Sequence, residues 1–118
     1  MITSIIYAII AYFLGNIMGG KLLEKIYKED LSKVGSGNVG ARNAGRVLGT
    51  RSFVFVLAVD FFKGFLIVIL LKILHTDELT IYVSILFVIL GHIKPILFKF
   101  KGGKGVATFF GTMAALTL

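Results

Sequence analysis

Four apolar stretches alternate with shorter polar stretches along the chain. Residues 2–23, 52–74 and 79–98 each have about the 20 residues that a helix needs to cross the hydrocarbon of a bilayer. Residues 106–118 start a fourth stretch, which would be about 20 Å long as a helix. The pattern predicts an all-α integral membrane protein, a polytopic helical bundle with three full spans and the start of a fourth.

The fourth stretch has no polar flank after it. We therefore expect a single membrane domain over residues 1–118 that is incomplete at its C-terminus and is continued by the natural protein or by a partner fragment. Within the first stretch, Ala11, Gly15 and Gly19 recur at every fourth position. A stripe of small residues of this kind predicts that another helix approaches closely.

Composition agrees with a membrane protein and excludes several classes of site. Of the 118 residues, 57% are hydrophobic, whereas a soluble domain has about half. The chain has no Cys, which excludes a disulfide framework and a cysteine metal site. Two His are too few for a His-rich metal cage, so we expect neither a metal nor a cofactor.

The basic residues are concentrated in two places. The net charge is +7, and eleven of the thirteen Lys and Arg lie in residues 21–51 and 91–105. Because these residues flank apolar spans, membrane lipid head groups and phosphorylated substrates are better partners than nucleic acid. The positive-inside rule predicts that both loops, residues 24–51 and 91–105, are cytoplasmic and that the N-terminus is outside. Residues 24–34 predict a short amphipathic piece at the interface, or an ordinary basic flank.

The first loop contains the sequence GSGNVGARNAGRVLG, residues 35–49. Its glycines have the spacing of a dinucleotide fingerprint, but a membrane helix precedes them instead of a strand, so we reject a nucleotide-binding βαβ unit. Glycines still let backbone N–H groups face an anion. If residues 41–48 are helical, two arginines share one face. The candidate phosphate-binding residues here are Gly35, Ser36, Gly37, Asn38, Gly40, Arg42, Asn43 and Arg46. The alternative is a flexible turn with solvated arginines.

The second loop combines cations with exposed backbone amides. Its candidate anion-binding residues are Lys101, Gly102, Gly103 and Lys104. Gly105 follows Lys104, whereas a nucleotide-binding P-loop has Ser or Thr at that position, so nucleotide hydrolysis is unsupported. His92 is a candidate for proton transfer or for a hydrogen bond to phosphate. Alternatively, it satisfies carbonyls at a helix end.

Asp60 and Lys63 lie one helical turn apart within an apolar span. Charged groups are costly there, and the spacing predicts that the two side chains pair. The pair is either purely structural or supports the phosphate site, with Asp60 orienting Arg46 or Lys104, or with Lys63 joining the pocket.

Three segments together resemble a known family. Residues 35–49, then DFFKG at residues 60–64, then GHIKPILFKFKGGKGVATFFG at residues 91–111 resemble the bacterial acyl-phosphate:glycerol-3-phosphate acyltransferase (PlsY) family. The resemblance implies a bacterial inner-membrane protein of seven helices. It implies transfer of a fatty acyl group from acyl phosphate to the sn-1 hydroxyl of glycerol 3-phosphate, which gives lysophosphatidic acid for phospholipid synthesis.

The resemblance also implies roles for individual residues. Ser36, Arg46 and His92 take catalytic positions, and the remaining polar and glycine residues of the two loops bind phosphate. The family usually has Thr where this chain has Arg42, and Phe or Tyr where it has Lys94. Its third motif lies beyond the last residue of this chain, so we expect the fragment to be inactive alone.

The residues favour direct transfer over an acyl-enzyme intermediate. Acyl phosphate is an activated anhydride, the chain has no Cys, and Ser36 has no adjacent base. Two other interpretations stay open. One is a membrane transporter or binding protein for an organic phosphate. The other is a structural half that assembles with a second polypeptide. Acyl-chain preference and oligomeric state do not follow from the sequence.

Overall fold

The computed structural model describes all residues from Met1 to Leu118 and contains helices and no strand. Three apolar helical stretches are long enough to cross a membrane, and a fourth apolar helix is shorter. The predicted all-α membrane bundle is confirmed. The helices are α1 (Ile2–Gly15), α2 (Gly19–Tyr27), α3 (Ala41–Leu48), α4 (Thr50–Ile73), α5 (Glu78–Ile93), a 3₁₀ turn (Ile96–Phe98) and α6 (Val106–Leu116).

The first apolar stretch, Ile2–Tyr27, is long and apolar enough to cross a membrane, but it is interrupted and not one continuous helix. Helix α1 ends at Gly15, Met18 has extended backbone angles, and α2 begins at Gly19. Of residues 24–34, only residues 24–27 belong to α2, because Lys28 adopts a left-handed conformation and ends the helix. Hydrophobicity alone does not detect the break between α1 and α2, because Asn16 is the single polar residue there.

Two charged side chains of α4 satisfy the backbone groups that the break exposes. The Lys63 ammonium donates hydrogen bonds to the carbonyl oxygens of Gly15 and Ile17, at 2.9 Å each. The Asp60 carboxylate accepts from the backbone N–H of Gly19 at 3.2 Å. A cation therefore lies at the C-terminal end of α1 and an anion at the N-terminal end of α2, which is the favourable arrangement with both helix dipoles.

Glycines allow the helices to pack with their backbones in contact. Helix α1 packs mainly on α5, and α4 packs mainly on α6. A Cβ atom added to Gly91 of α5 would lie 2.0 Å from the carbonyl oxygen of Tyr12, and one added to Gly111 of α6 would lie 1.9 Å from that of Phe61. These contacts leave no room for a methyl group.

The predicted small-residue stripe faces both neighbouring helices. Ala11 is fully buried, Gly15 lies against Val88 of α5, and Gly19 lies against Val56 of α4. The stripe therefore continues across the break and fixes how α1 and α2 sit between α5 and α4. This prediction is confirmed.

At the end of the bundle away from the two glycine-rich loops, polar side chains cap two helices. Asp77 caps α5 by accepting hydrogen bonds from the hydroxyl and the backbone N–H of Thr80, and these bonds hold the pKa of the Asp77 carboxyl below its ordinary value. The Lys72 ammonium donates to the carbonyl of Ala115 at 3.1 Å, near the C-terminal end of α6. Both caps lie away from the two glycine-rich loops, so they stabilise the scaffold without contributing to the site.

We predict that Gly91→Ala destabilises the bundle by about 1–3 kcal/mol, because the added methyl group must push α1 away from α5. Thermal unfolding of the purified chain in detergent micelles measures the change. Gly40→Ala is the matched control, since its Cβ would lie 3.6 Å from the nearest side-chain atom and meets only ordinary contacts. Equal unfolding temperatures for the two variants would contradict the packing described above.

Candidate functional site

The two glycine-rich loops meet at one end of the bundle and enclose a cavity of about 510 Å³. Its polar side chains come from the first loop and α3, from α4, from the end of α5 and from the second loop. The lining residues are Asn38, Gly40, Ala41, Arg42, Phe53, Leu57, Asp60, His92, Lys104, Gly105, Val106, Ala107 and Phe110.

The cavity is positively polarised from two sides. Helices α3 and α6 both begin at its wall, and neither has an acidic residue in its first turn. Unpaired N–H groups at a helix N-terminus attract anions. Arg42 and Lys104 add full positive charges, whereas Asp60 is the single acidic residue in the lining. This combination suits a ligand that carries phosphate.

Gly105 places α6 so that its N-terminus opens on the cavity. It has a left-handed φ of 83°, which is readily accessible only to glycine, and the helix begins at the next residue. On the opposite wall, Gly40 caps α3 with extended backbone angles, and its N–H donates to the Asn38 side-chain oxygen at 3.1 Å. Both helix starts therefore depend on the local sequence of their loops.

The Asn43 side chain holds the first loop in shape. Its Nδ2 group lies 3.0 Å from the carbonyl oxygens of Leu31 and Val34 and 2.8 Å from that of Asn38. Its Oδ1 atom accepts from the N–H of Ser36 at 2.9 Å. Asn43 is 1% exposed, and all its polar atoms are engaged within the loop. The structure thus gives Asn43 a loop-shaping position, and its contact with phosphate stays a prediction.

His92 lies where α4, α5 and the second loop meet. Its Nδ1 atom is 2.7 Å from the Lys63 ammonium and 4.0 Å from the Asp60 carboxylate. Its backbone carbonyl accepts from the N–H of Gly103 at 3.2 Å. The imidazole therefore reaches the cavity from a position fixed by buried groups.

Asp60 and Lys63 form the predicted pair, with 3.5 Å between carboxylate and ammonium. Asp60 lines the cavity and Lys63 does not. Neither side chain contacts Arg46 or Lys104, so the structure does not support the predicted orienting role for Asp60. Both groups instead serve the helix break, and Lys63 also contacts His92.

Two glycines of the second loop are required by close packing. A Cβ on Gly102 would lie 1.9 Å from the His92 carbonyl oxygen, and a Cβ on Gly103 would lie 2.5 Å from His92 Nε2. These residues let the loop lie against the end of α5. The sequence predicted that they expose amides to an anion, but neither residue lines the cavity.

Five more predicted residues lie outside the cavity lining. Ser36 is exposed and its hydroxyl makes no hydrogen bond within the chain, while Arg46 is exposed one turn beyond Arg42 on α3. Lys101 lies in a separate polar cavity of about 420 Å³. The other two are Gly35 and Gly37, which have positive φ angles of 57° and 78° and make the turns of the first loop.

Two polar residues of α1 were not predicted, although both contribute to the site. The Tyr12 hydroxyl donates to the Lys94 carbonyl at 2.6 Å and accepts from the Ile96 N–H at 2.8 Å. Asn16 donates to the Gly91 carbonyl and accepts from the Leu97 N–H, both at 3.1 Å. They fix the start of the second loop, and polar residues four apart in an apolar stretch were the available signal.

Three apolar lining residues, Phe53, Leu57 and Phe110, were also missed. Nothing in the sequence separates them from the apolar residues that face lipid, because all occupy similar helical positions. Only the packing of α4 against α6 identifies them.

The fold and this loop arrangement define an integral membrane helical bundle with a cationic cavity at one end. The sequence profile described as Glycerol-3-phosphate acyltransferase matches residues 5–118. The chain belongs to that family.

Individual relatives agree with this assignment. Glycerol-3-phosphate acyltransferase 1 of Bacillus cereus is 42% identical over 111 residues, which are 93% of this chain and 61% of the relative. The Aquifex aeolicus glycerol-3-phosphate acyltransferase is 43% identical over 115 residues, 97% of this chain and 60% of the relative. The chain thus spans about three fifths of the length of these relatives.

Solved structures agree as well. The crystal structure of PlsY, an integral membrane glycerol 3-phosphate acyltransferase, in its glycerol 3-phosphate form has a TM-score of 0.87 and 41% identity to this chain. The lysophosphatidic acid form of PlsY has a TM-score of 0.83 and 40% identity. Each match covers 97% of this chain and 57% of the solved chain.

We predict that Asn43→Ala loosens the first loop, because three carbonyls lose their donor and the Ser36 N–H loses its acceptor. Trypsin should then cleave at Lys28 and Lys33 at least several-fold faster in detergent micelles, with cleavage followed by mass spectrometry. Ser36→Ala is the control, since it keeps the backbone N–H that Asn43 binds. Unchanged cleavage of the Asn43 variant would show that other contacts hold the loop.

Proposed function

We propose that this chain carries the phosphate-binding part of an acyltransferase that moves a fatty acyl group from acyl phosphate to the sn-1 hydroxyl of glycerol 3-phosphate. The product is lysophosphatidic acid, used in phospholipid synthesis. The observation that carries the proposal is a cationic cavity adjoining an apolar groove, which matches a substrate with a phosphate at one end and an acyl chain at the other.

The groove has a volume of about 460 Å³ and only hydrophobic residues in its lining. It shares Leu57, Ala107 and Phe110 with the polar cavity. Beyond these residues it continues along α4 and α6, where it is lined by Val54, Ala58, Phe61 and Phe62. An acyl chain in this groove would lie beside lipid while its phosphate reached Arg42 and Lys104.

The comparisons support these substrates. The two solved PlsY structures are described as glycerol 3-phosphate and lysophosphatidic acid forms, which are a substrate and the product of the proposed reaction. Glycerol 3-phosphate adds a second phosphate to the one in the acyl donor. The cavity offers Arg42, Lys104 and the N-termini of α3 and α6 for two such groups.

The proposed chemistry is direct acyl transfer. The sn-1 hydroxyl oxygen forms a bond to the carbonyl carbon, and the bond from that carbon to the bridging phosphate oxygen breaks. Inorganic phosphate leaves with the electron pair and takes up the hydroxyl proton. The chain contributes positioning and stabilisation of negative charge. Ser36 is exposed without a base beside it, and there is no Cys, so the residues favour a route without an acyl-enzyme.

Residues outside the cavity lining keep a place in the proposal through the family resemblance. Ser36, Arg46 and Lys101 belong to the same two basic segments of the chain, and all three are exposed. We propose that they contact the phosphate of a bound substrate at the cavity mouth. Their exposure leaves their side chains available for this purpose.

We also propose the membrane orientation that the charge distribution predicts. Both basic loops are cytoplasmic, the N-terminus is outside, and the chain lies in the inner membrane of a bacterium. The support is the excess of Lys and Arg in the loops. The opposite connection, residues 72–80, contains a single Lys and two acidic residues, Asp77 and Glu78.

The broken α1–α2 helix also suits the transporter interpretation, because transporters place half-helix termini at their substrate sites. Here, however, Asp60 and Lys63 already occupy those termini. The break is therefore closed by the protein itself, which favours the acyltransferase. Formation of lysophosphatidic acid that requires both acyl phosphate and glycerol 3-phosphate would establish the enzyme, whereas phosphate-ester uptake without that product would establish the transporter.

We predict that Lys104→Gln and Arg42→Gln each weaken glycerol 3-phosphate binding about 10- to 100-fold, because a hydrogen bond to a charged group contributes about 1.5–3 kcal/mol. Titration calorimetry on the chain in lipid nanodiscs measures the affinity. Lys25→Gln is the control, because Lys25 is exposed on α2 and lines neither cavity nor groove. If Lys25→Gln weakened glycerol 3-phosphate binding equally, the loss of affinity would come from the lower net charge and not from contacts in the cavity.

We predict that Ala58→Phe in the complete protein shifts the preference of acyl transfer toward short acyl chains, because the added ring fills the apolar groove. The ratio of kcat/KM for long-chain over short-chain acyl phosphate should fall at least 10-fold. Leu86→Phe, on the exposed face of α5, should leave that ratio unchanged. A ratio that stays the same in the Ala58 variant would place the acyl chain elsewhere.

A further inference from the structure

We propose that Lys63 is a positioning residue for His92: its ammonium donates to Nδ1 and holds the neutral imidazole in the tautomer that carries its proton on Nε2. That N–H then serves the cavity as a hydrogen-bond donor to a substrate oxyanion. The inference rests on the proposed function only for the identity of that oxyanion.

The acceptors around Lys63 match its three protons. Gly15 and Ile17 offer carbonyl oxygens at 2.9 Å each, and His92 offers Nδ1 at 2.7 Å. The Asp60 carboxylate lies further away, at 3.5 Å. Lys63 is 5% exposed and His92 is 3% exposed, so water does not compete for these bonds. An ammonium has three donors and no acceptor, which makes Nδ1 the accepting atom.

The surrounding charges favour this assignment. Lys63 faces a carboxylate and two carbonyls at the C-terminal end of α1, and all three stabilise a cation. A protonated imidazole would place a second cation 2.7 Å from the ammonium, where repulsion is severe in a poorly solvated site. The neutral ring therefore keeps Nδ1 free of hydrogen and carries its proton on Nε2.

The Nε2 atom has no partner within the chain. His92 makes one side-chain hydrogen bond, through Nδ1, and its ring belongs to the cavity lining. Gly103 leaves the space beside Nε2, since a Cβ there would lie 2.5 Å from that atom. The bond between the Gly103 N–H and the His92 carbonyl holds the loop at this distance. An unpaired N–H thus lies beside Gly103, in a residue that lines the cavity together with Lys104 and Val106.

This tautomer decides what His92 can do. A protonated Nε2 donates a hydrogen bond and cannot accept the proton of an attacking hydroxyl at that atom. His92 therefore stabilises negative charge on a phosphate or on the carbonyl oxygen as it becomes an oxyanion. Because Lys63 also ties the carbonyls of the broken helix, the position of the ring is coupled to the geometry of α1.

Nuclear magnetic resonance of the chain with ¹⁵N-labelled histidine, in lipid nanodiscs, tests the proposal. The chain has only two His, and His75→Asn removes the other signal at an exposed position with a φ of 55°, which Asn tolerates. We expect a one-bond coupling to hydrogen at Nε2 alone. Saturating glycerol 3-phosphate should then shift the Nε2 signal and leave Nδ1 unprotonated. A proton on Nδ1, a mixture of tautomers, or an unmoved Nε2 signal would overturn the proposal.

Variants of Lys63 separate positioning from simple structural support. Lys63→Met, which has no hydrogen-bond donor, should give a mixture of tautomers, whereas Lys63→Arg should retain the Nε2–H form. A single Nε2–H tautomer in a folded Lys63→Met protein would contradict the role of Lys63. If that variant does not fold, the measurement on the unsubstituted Lys63 protein still decides the tautomer.

The resonance experiment needs no turnover, so it separates the two proposals. Absence of acyl transfer by the complete protein combined with the expected Nε2 shift would reject the proposed reaction and retain the positioning role. Acyl transfer combined with an Nδ1–H ring would retain the reaction and reject the role of Lys63.

Discussion

The structure depends on the way one buried ion pair closes a helix break inside a membrane protein. Hydrocarbon offers no water to unpaired carbonyl and N–H groups, so an interrupted span needs internal partners. Asp60 and Lys63, one turn apart on α4, provide them with opposite charges at the two ends of the break. The same ammonium reaches His92, so the interaction that permits the break also orients a side chain of the cavity.

Close backbone contacts carry this arrangement to the two loops. Gly91 lets α1 lie against α5, and Gly111 lets α6 lie against α4. Tyr12 and Asn16 then bind the backbone that leaves α5, which sets where the second loop begins. The cavity is therefore built by packing in the apolar part of the molecule, and its charged residues are supplied by segments that this packing brings together.

The candidate residues of the two loops divide into two groups by what they contact. Gly102, Gly103 and Asn43 shape the backbone, through close approach to α5 or through hydrogen bonds to loop carbonyls. Arg42 and Lys104 face the cavity instead. A sequence motif interpreted as a set of ligand-binding residues thus contains two kinds of residue: those that shape the loop backbone and those that face the cavity. The first kind is needed because exposed loops otherwise lose their shape.

The sequence alone determined the membrane class, the helices α4, α5 and α6 within a few residues, the pairing of Asp60 with Lys63 and the family. These follow from local quantities, namely apolar length, helical spacing and motif order. Only the tertiary structure decided that the first span is broken, that Asn43 faces inward, and that Phe53, Leu57 and Phe110 line a cavity. Those outcomes depend on contacts between residues distant in the chain, such as Lys63 with Gly15. A pattern of hydrophobicity cannot predict these contacts, because an apolar residue that faces lipid and one that faces a cavity occupy similar positions in a helix.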